Sequence, residues 1–257
     1  MRPPPSSVRP ALAALLLLAA LAGCGSDDDG NGSGDDRRLV VLAAASLTDV
    51  FEDLADDFEA ARDGVDVEFS FGSSTDLAAQ AADGAPGDVL ATADEQSMQV
   101  AVDADVTGGE PATFATNTMV LVTPPDNPAG ITSVDDLDGT TWVRCADEVP
   151  CGRVARGLLE SNGVTAEPAS LEEDVKSTLE KVTSGEADAG FVYATDAVAA
   201  GDAVDVVEIP DAAEQPTSYV VTPLTQSEDG ELAQEWVDLV TSDDGRAVLA
   251  EAGFSAP

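Results

Sequence analysis

Leu39-Val40-Val41-Leu42-Ala43-Ala44-Ala45-Ser46-Leu47-Thr48 is the stretch on which the fold turns. The apolar run from Leu39 to Ala45 reads as a strand buried on both faces. Past Ser46, the residues Leu47, Val50, Phe51, Leu54 and Phe58 recur at helical spacing, with Asp and Glu on the other face. Residues 65–71 form a second strand of imperfect alternation, 77–82 a short helix and 88–92 a third strand. The order β-α-β-α-β implies a parallel sheet with right-handed crossovers.

A second series lies further along. Thr141-Trp142-Val143 reads as a strand, 154–160 as a helix, and Val175, Leu179 and Val182 mark another helix. Gly190-Phe191-Val192-Tyr193 and residues 204–209 read as strands. Leu232, Trp236, Leu239 and Val240 open a C-terminal helical region that continues through 246–252. Met119-Val120-Leu121-Val122-Thr123-Pro124 and Tyr219-Val220-Val221-Thr222-Pro223 read as strands stopped by proline. In a two-lobed molecule these are the crossings between lobes. No convincing internal repeat is visible.

Composition narrows the function. The 257 residues carry 11 Lys+Arg against 50 Asp+Glu and no His, a formal net charge of −39. That excess argues against nucleic acid and anionic lipid surfaces as partners and suits a solvated surface. The lack of His removes Ser-His-Asp triads, Cys-His pairs and His-ligated zinc. With 44% hydrophobic but only 4% aromatic residues, the cores are aliphatic.

Residues 1–23 read as a targeting segment. Arg2 and Arg9 make a positive start, and the apolar run 11–22 is too short for an ordinary membrane span. It ends in Leu21-Ala22-Gly23-Cys24, which resembles a bacterial lipobox, a signal in which the Cys becomes the lipidated first residue of the mature chain. The other reading is a plain signal peptide with an incidental Cys. Residues 24–38, rich in Gly, Ser, Asn and Asp, suit a flexible acidic linker.

The residues with chemistry to offer sit where strands hand over to helices. Ala44-Ala45-Ser46-Leu47-Thr48 is one such junction and Phe71-Gly72-Ser73-Ser74-Thr75 another. In a parallel sheet both lie at the C-terminal edge. Helix N-termini there present unpaired N–H groups and partial positive charge, and Ser adds a hydroxyl donor. Ordinary N-capping by Ser or Thr explains the same residues. Val149-Pro150-Cys151-Gly152-Arg153 is a third junction, with Pro opening a helix.

Together, Ala43-Ala44-Ala45-Ser46-Leu47-Thr48, Phe71-Gly72-Ser73-Ser74-Thr75-Asp76-Leu77, Gly84-Ala85-Pro86-Gly87-Asp88-Val89, Glu173-Asp174-Val175 and Gly190-Phe191-Val192-Tyr193-Ala194-Thr195-Asp196-Ala197 resemble, in order and spacing, the periplasmic molybdate-binding proteins of ABC importers. The resemblance implies an α/β type II periplasmic-binding-protein fold. Each of its two lobes is a mostly parallel sheet flanked by helices, and the ligand lies in the cleft between them. We expect 39–118 with 222–257 to form lobe 1 and 119–221 lobe 2.

The resemblance also implies the ligand set. Ser46 and Ser74 donate from hydroxyl and backbone, Cys151 and Val175 from backbone N–H, and Tyr193 from its hydroxyl. The family often has a small apolar residue where Cys151 stands, a change that a backbone donor tolerates. Ser170-Leu171-Glu172-Glu173 is a competing capping-box pattern, but the resemblance places the helix start near Asp174. A lone Tyr such as Tyr193 is otherwise read as a core aromatic with its hydroxyl at the rim. Molybdate carries no proton at neutral pH, so a site made only of donors suits it.

The expectation is therefore a non-enzymatic lipoprotein on the outer face of the cytoplasmic membrane. It is monomeric, anchored through Cys24, and carries molybdate or tungstate to an ABC importer permease. Molybdenum or tungsten enters only as the bound oxyanion, with no cofactor. Sulfate or phosphate is the nearest alternative ligand. A carboxylate-dependent exported enzyme and a surface adhesion module are readings from other classes. In an oxidising compartment Cys145 and Cys151, six residues apart, favour a disulfide over two free thiols.

Overall fold

A computed structural model describes residues 37–257. The targeting segment, Cys24 and nearly all of the acidic linker lie outside the described residues.

The opening apolar run becomes β1 (Arg37–Ala44), followed by a short 3-10 turn (Ala45–Leu47) and α1 (Thr48–Ala60). Then come β2 (Val65–Gly72), α2 (Ser74–Ala82), β3 (Val89–Thr92), α3 (Glu95–Asp103) and β4 (Ala112–Asn117). The second series is β5 (Met119–Thr123), β6 (Trp142–Cys145), α4 (Pro150–Ser161), β7 (Ser170–Glu172), α5 (Val175–Thr183), β8 (Ala189–Tyr193), α6 (Ala194–Ala200) and β9 (Asp205–Val207). The chain closes with β10 (Thr217–Pro223), α7 (Gly230–Thr241) and α8 (Asp243–Glu251).

Two five-stranded sheets result, ordered β2-β1-β3-β10-β4 and β7-β6-β8-β5-β9. In the first, β1 runs parallel to β2 and β3, while β10 is antiparallel to β3 and β4. In the second, β6 runs parallel to β7 and β8, while β5 is antiparallel to β8 and β9. Each sheet thus has four strands pointing one way and one reversed strand, β10 or β5. This is the topology of the periplasmic-binding-protein fold.

The apolar stripe of α1 explains its place. Val50, Phe51, Leu54 and Phe58 are buried against the sheet and α7, with Phe51 and Phe58 both edge-on to Trp236 at 5.5 and 5.3 Å. The opposite face of this sheet is covered by α2 and α3 through Leu77, Ala78, Ala81, Met98 and Ala101. The second lobe has its own core around Trp142 and Phe191.

Between β4, in the first sheet, and β5, in the second, stands Thr118. Residues Thr217–Pro223 pair with β3 and β4, so the whole of β10 belongs to the first lobe and the passage precedes Thr217. The expected boundary at 221/222 is corrected to that point. Proline after a strand marks where the strand stops; it carries no information about which sheet the strand joins. Three elements also gave too weak a sequence signal: α3, the Thr-rich β4 and the three-residue β7.

Candidate functional site

The three strand-to-helix junctions identified by sequence, together with the start of α5, meet at one place, a cavity between the lobes. The first lobe contributes Ala45, Ser46, Gly72, Ser73, Ser74 and Ala93. The second contributes Val149, Pro150, Cys151, Val175 and Tyr193. Ser46, Ser74, Cys151, Val175 and Tyr193 are thereby brought together, and all five are buried.

The helices that begin here are unusual in how they begin. The 3-10 turn ahead of α1, α1 itself, α2 and α4 have no side-chain cap. The helices that begin away from the cavity are capped: Asp94 receives Ser97 N–H at the start of α3, Asp229 receives Leu232 N–H at α7, and Ser242 receives Gly245 N–H at α8. First-turn N–H groups have no acceptor within their own helix. At α2 and α4 that leaves Ser74 and Cys151 as donors facing the cavity, backed by the positive ends of both helix dipoles. At α5 the cap is Asp174, which receives Ser177 N–H at 2.8 Å. That cap leaves the N–H of Val175, the first helical residue, without an intrahelical partner. The rival capping box at Ser170 does not form, because Ser170–Glu172 is strand β7.

The close fit of α4 depends on Gly152. A Cβ there would sit 1.7 Å from the Ala146 carbonyl oxygen. Only glycine lets the start of α4 lie against the end of β6. A disulfide joins Cys145 at the end of β6 to Cys151 in the first turn of α4.

Side-chain hydroxyls complete the lining. Ser74 Oγ accepts the Ala93 N–H at 2.9 Å. Ser46 Oγ lies 2.7 Å from the Tyr219 hydroxyl, which in turn receives Asn117 Nδ2 at 3.4 Å. Among the described residues, Tyr193 Oη and Ser73 Oγ are buried polar atoms with no partner, and both residues line the cavity. Orphaned buried hydroxyls are costly unless a ligand completes them. Burial, with Tyr219 and the carboxylates of Asp94 and Asp196 nearby, pushes the Tyr193 phenol well above its ordinary value, so it stays a neutral donor.

Carboxylates are present but turned to other work. Glu173 is exposed at the rim, and Asp174 caps α5. Asp196, fully buried behind Tyr193, accepts the Tyr193 N–H at 3.1 Å. Its burial raises its pKa to about 6, an effect opposed by Lys176 and by the Tyr193 N–H.

Sequence reasoning missed the cations. Arg153 in α4 reaches Asp94 in the first lobe with Nε at 2.9 Å and Nη2 at 2.5 Å, and also Ser97 Oγ at 3.1 Å. Lys176 in α5 reaches Asp49 in α1 at 2.5 Å. Thr75 Oγ1 donates to the Glu148 carbonyl at 2.9 Å. These contacts cross between lobes on both flanks of the cavity, so the two positive charges are used in latching rather than facing inward. No local sequence signal identifies such pairs, whose members lie 59 and 127 positions apart.

Among the described residues no group of three or more His, Cys, Asp or Glu could hold a metal ion. The cavity offers a shell of N–H and O–H donors, which suits a small ligand that only accepts.

The family model for bacterial extracellular solute-binding proteins matches residues 39–255. The molybdate-binding protein ModA of Mycobacterium tuberculosis is 39% identical over 216 residues, covering 83% of each chain. A putative ABC transporter substrate-binding lipoprotein of Bacillus subtilis is 26% identical, covering 83% of this chain and 84% of its own. The periplasmic molybdate-binding protein of Azotobacter vinelandii superposes with a TM-score of 0.75 at 23% identity, covering 85% of this chain and 99% of its own.

Proposed function

The chain belongs to the family of bacterial extracellular solute-binding proteins, and from that premise we propose that it captures molybdate, or tungstate, and delivers it to an ABC importer permease. The observation that carries this reading is the Tyr193 hydroxyl, buried and unpartnered in a cavity where Ser46, Ser74, Cys151 and Val175 also present donors. A proton-free tetrahedral dianion accepts from all of them and has no proton to place. Neutral dipoles held in a cavity shut off from water can bind a dianion without a facing cation.

The relatives named for molybdate support that anion over sulfate or phosphate. The protein works by binding, with no chemistry of its own: the serines in the cavity have no adjacent base, and the chain has no His. We read it as a monomer, tethered outside the cytoplasmic membrane through a lipid on Cys24. The lipobox-like residues 21–24 and the lipoprotein relative support the tether.

Thermal unfolding in a panel of molybdate, tungstate, sulfate and phosphate tests the assignment. Molybdate and tungstate raise the midpoint by linkage, and the double substitution Ser46→Ala and Ser74→Ala abolishes the rise. A shift with sulfate or phosphate alone would overturn the choice of ligand. Mass spectrometry of the exported protein, read for a lipid adduct on Cys24, checks the tether.

A further inference from the structure

Asn117 is held in one orientation. Thr118 N–H donates to its Oδ1 at 2.9 Å, so Nδ2 faces Thr195 Oγ1 at 2.8 Å and the Tyr219 hydroxyl at 3.4 Å. An amide nitrogen only donates. Tyr219 is fully buried, and its oxygen has two hydrogen-bond neighbours among the described residues, Asn117 Nδ2 and Ser46 Oγ. Of these only Ser46 can accept the phenolic proton. Tyr219 therefore donates to Ser46 Oγ at 2.7 Å, and the Ser46 proton is left to point elsewhere. Ser74 is arranged the same way by a different group, since its Oγ accepts the Ala93 N–H.

We propose that Tyr219, oriented by Asn117, and the Ala93 amide are specificity-determining groups that fix the polarity of Ser46 and Ser74, so that both hydroxyls meet a ligand as donors and a protonated oxyanion is refused. A free serine hydroxyl turns about its Cβ–Oγ bond and presents either a proton or a lone pair. A serine that already receives a hydrogen bond has its proton as the group it offers. A hydrogenphosphate or hydrogenarsenate ion would then bury its own O–H against donors, at the full cost of an unpaired polar group. The inference rests on the oxyanion-binding reading and adds to it the means of discrimination.

The test is a double-mutant cycle read by titration calorimetry with molybdate on the mature protein. Tyr219→Phe keeps the ring that packs edge-on against Phe254, Phe114 and Tyr193 and removes only the donor. It weakens molybdate binding about tenfold, the size of one hydrogen bond, when Ser46 is present. In a Ser46→Ala background it changes nothing. Displacement of molybdate by selenate and by arsenate, similar in size but proton-free and protonated respectively, moves in favour of arsenate in Tyr219→Phe alone. Should Tyr219→Phe fold poorly, Asn117→Asp takes its place, because a carboxylate draws the phenolic proton away from Ser46. The selenate-to-arsenate ratio then carries the result.

An equal loss in both Ser46 backgrounds, or no loss in either, would overturn the proposal, as would an unchanged selenate-to-arsenate ratio. Failure of the wild-type chain to bind molybdate or tungstate is a separate result that overturns the ligand assignment. The cycle is then run with whichever proton-free oxyanion does bind, and a chain that binds none overturns both.

Discussion

Tyr193 and Asp196 are neighbours in chain and space, and each carries a cost that the folded protein tolerates. The Tyr193 hydroxyl is buried without a partner among the described residues. Tyr193→Phe should therefore raise the melting temperature of the ligand-free protein, by roughly 1 kcal/mol of stability, while weakening molybdate tenfold or more. Calorimetry in the presence and absence of ligand reads both signs, and a loss in each would show that the hydroxyl has a protein partner after all.

Asp196 carries its cost in the other protonation state. Its folded pKa of about 6 lies above the ordinary 3.8 because burial disfavours the charge. Below about pH 4 the carboxyl is neutral in both states. Between about 4 and 6 the folded form holds a proton that the unfolded chain has released, so stability falls as pH rises through that window. Above it the penalty is complete, on the order of 3 kcal/mol. Asp196→Asn, whose amide oxygen still accepts the Tyr193 N–H, should raise the midpoint at pH 7 and flatten its slope between pH 4 and 6. Melting curves across that range check it.

Ser46, Ser74 and Cys151 were legible in sequence as members of strand-to-helix junctions, which the family resemblance then singled out. Tyr219 and Asn117 were not: Tyr219 stands 173 positions from Ser46 and reads locally as one more apolar strand residue. The same holds for the orphaned state of Tyr193, which is a property of what fails to surround it.

At the scale of elements, the start of α4 is the most constrained part of the site. Gly152 allows it to touch the end of β6, and the Cys145–Cys151 disulfide ties the two together. Reduction frees a short loop, so the entropic loss is modest, about 2 kcal/mol. The effect on binding should be larger than that on folding, because the freed turn carries the Cys151 donor. Titration with molybdate before and after reduction, with alkylation to count thiols, checks this. Equal affinity in both forms would show that Gly152 packing alone holds the turn. The sequence suggested the pair from compartment and spacing. What it could not supply was the ladder that places β6 between β7 and β8, with its end beside the cavity.

For the whole molecule, charge and closure oppose each other. A formal net charge of −39 repels a dianion at long range, while the cavity attracts it only at contact. The association rate of molybdate should therefore rise with added salt, several-fold between about 10 mM and 150 mM, as the repulsion is screened. Stopped-flow fluorescence checks this, and a rate that falls with salt would mean that Arg153 and Lys176 dominate the field at the entrance. Both side chains are paired across the lobes, with Asp94 and Asp49, and so contribute to holding the lobes together beside the cavity.

Sequence by itself determined the alternation of strands and helices, the crossovers of the first three strands and the serine-bearing junctions, because these depend on hydrophobic period and on neighbours one turn away. It also set the charge and removed every histidine-based chemistry. Only the tertiary structure decided that β10 returns to the first lobe, that the uncapped starts of α1, α2 and α4 converge with the Asp174-capped start of α5 on one cavity, and that Tyr219 meets Ser46. Those facts depend on which strand edges pair and which residues meet across more than a hundred positions of chain, and local propensity carries no record of either.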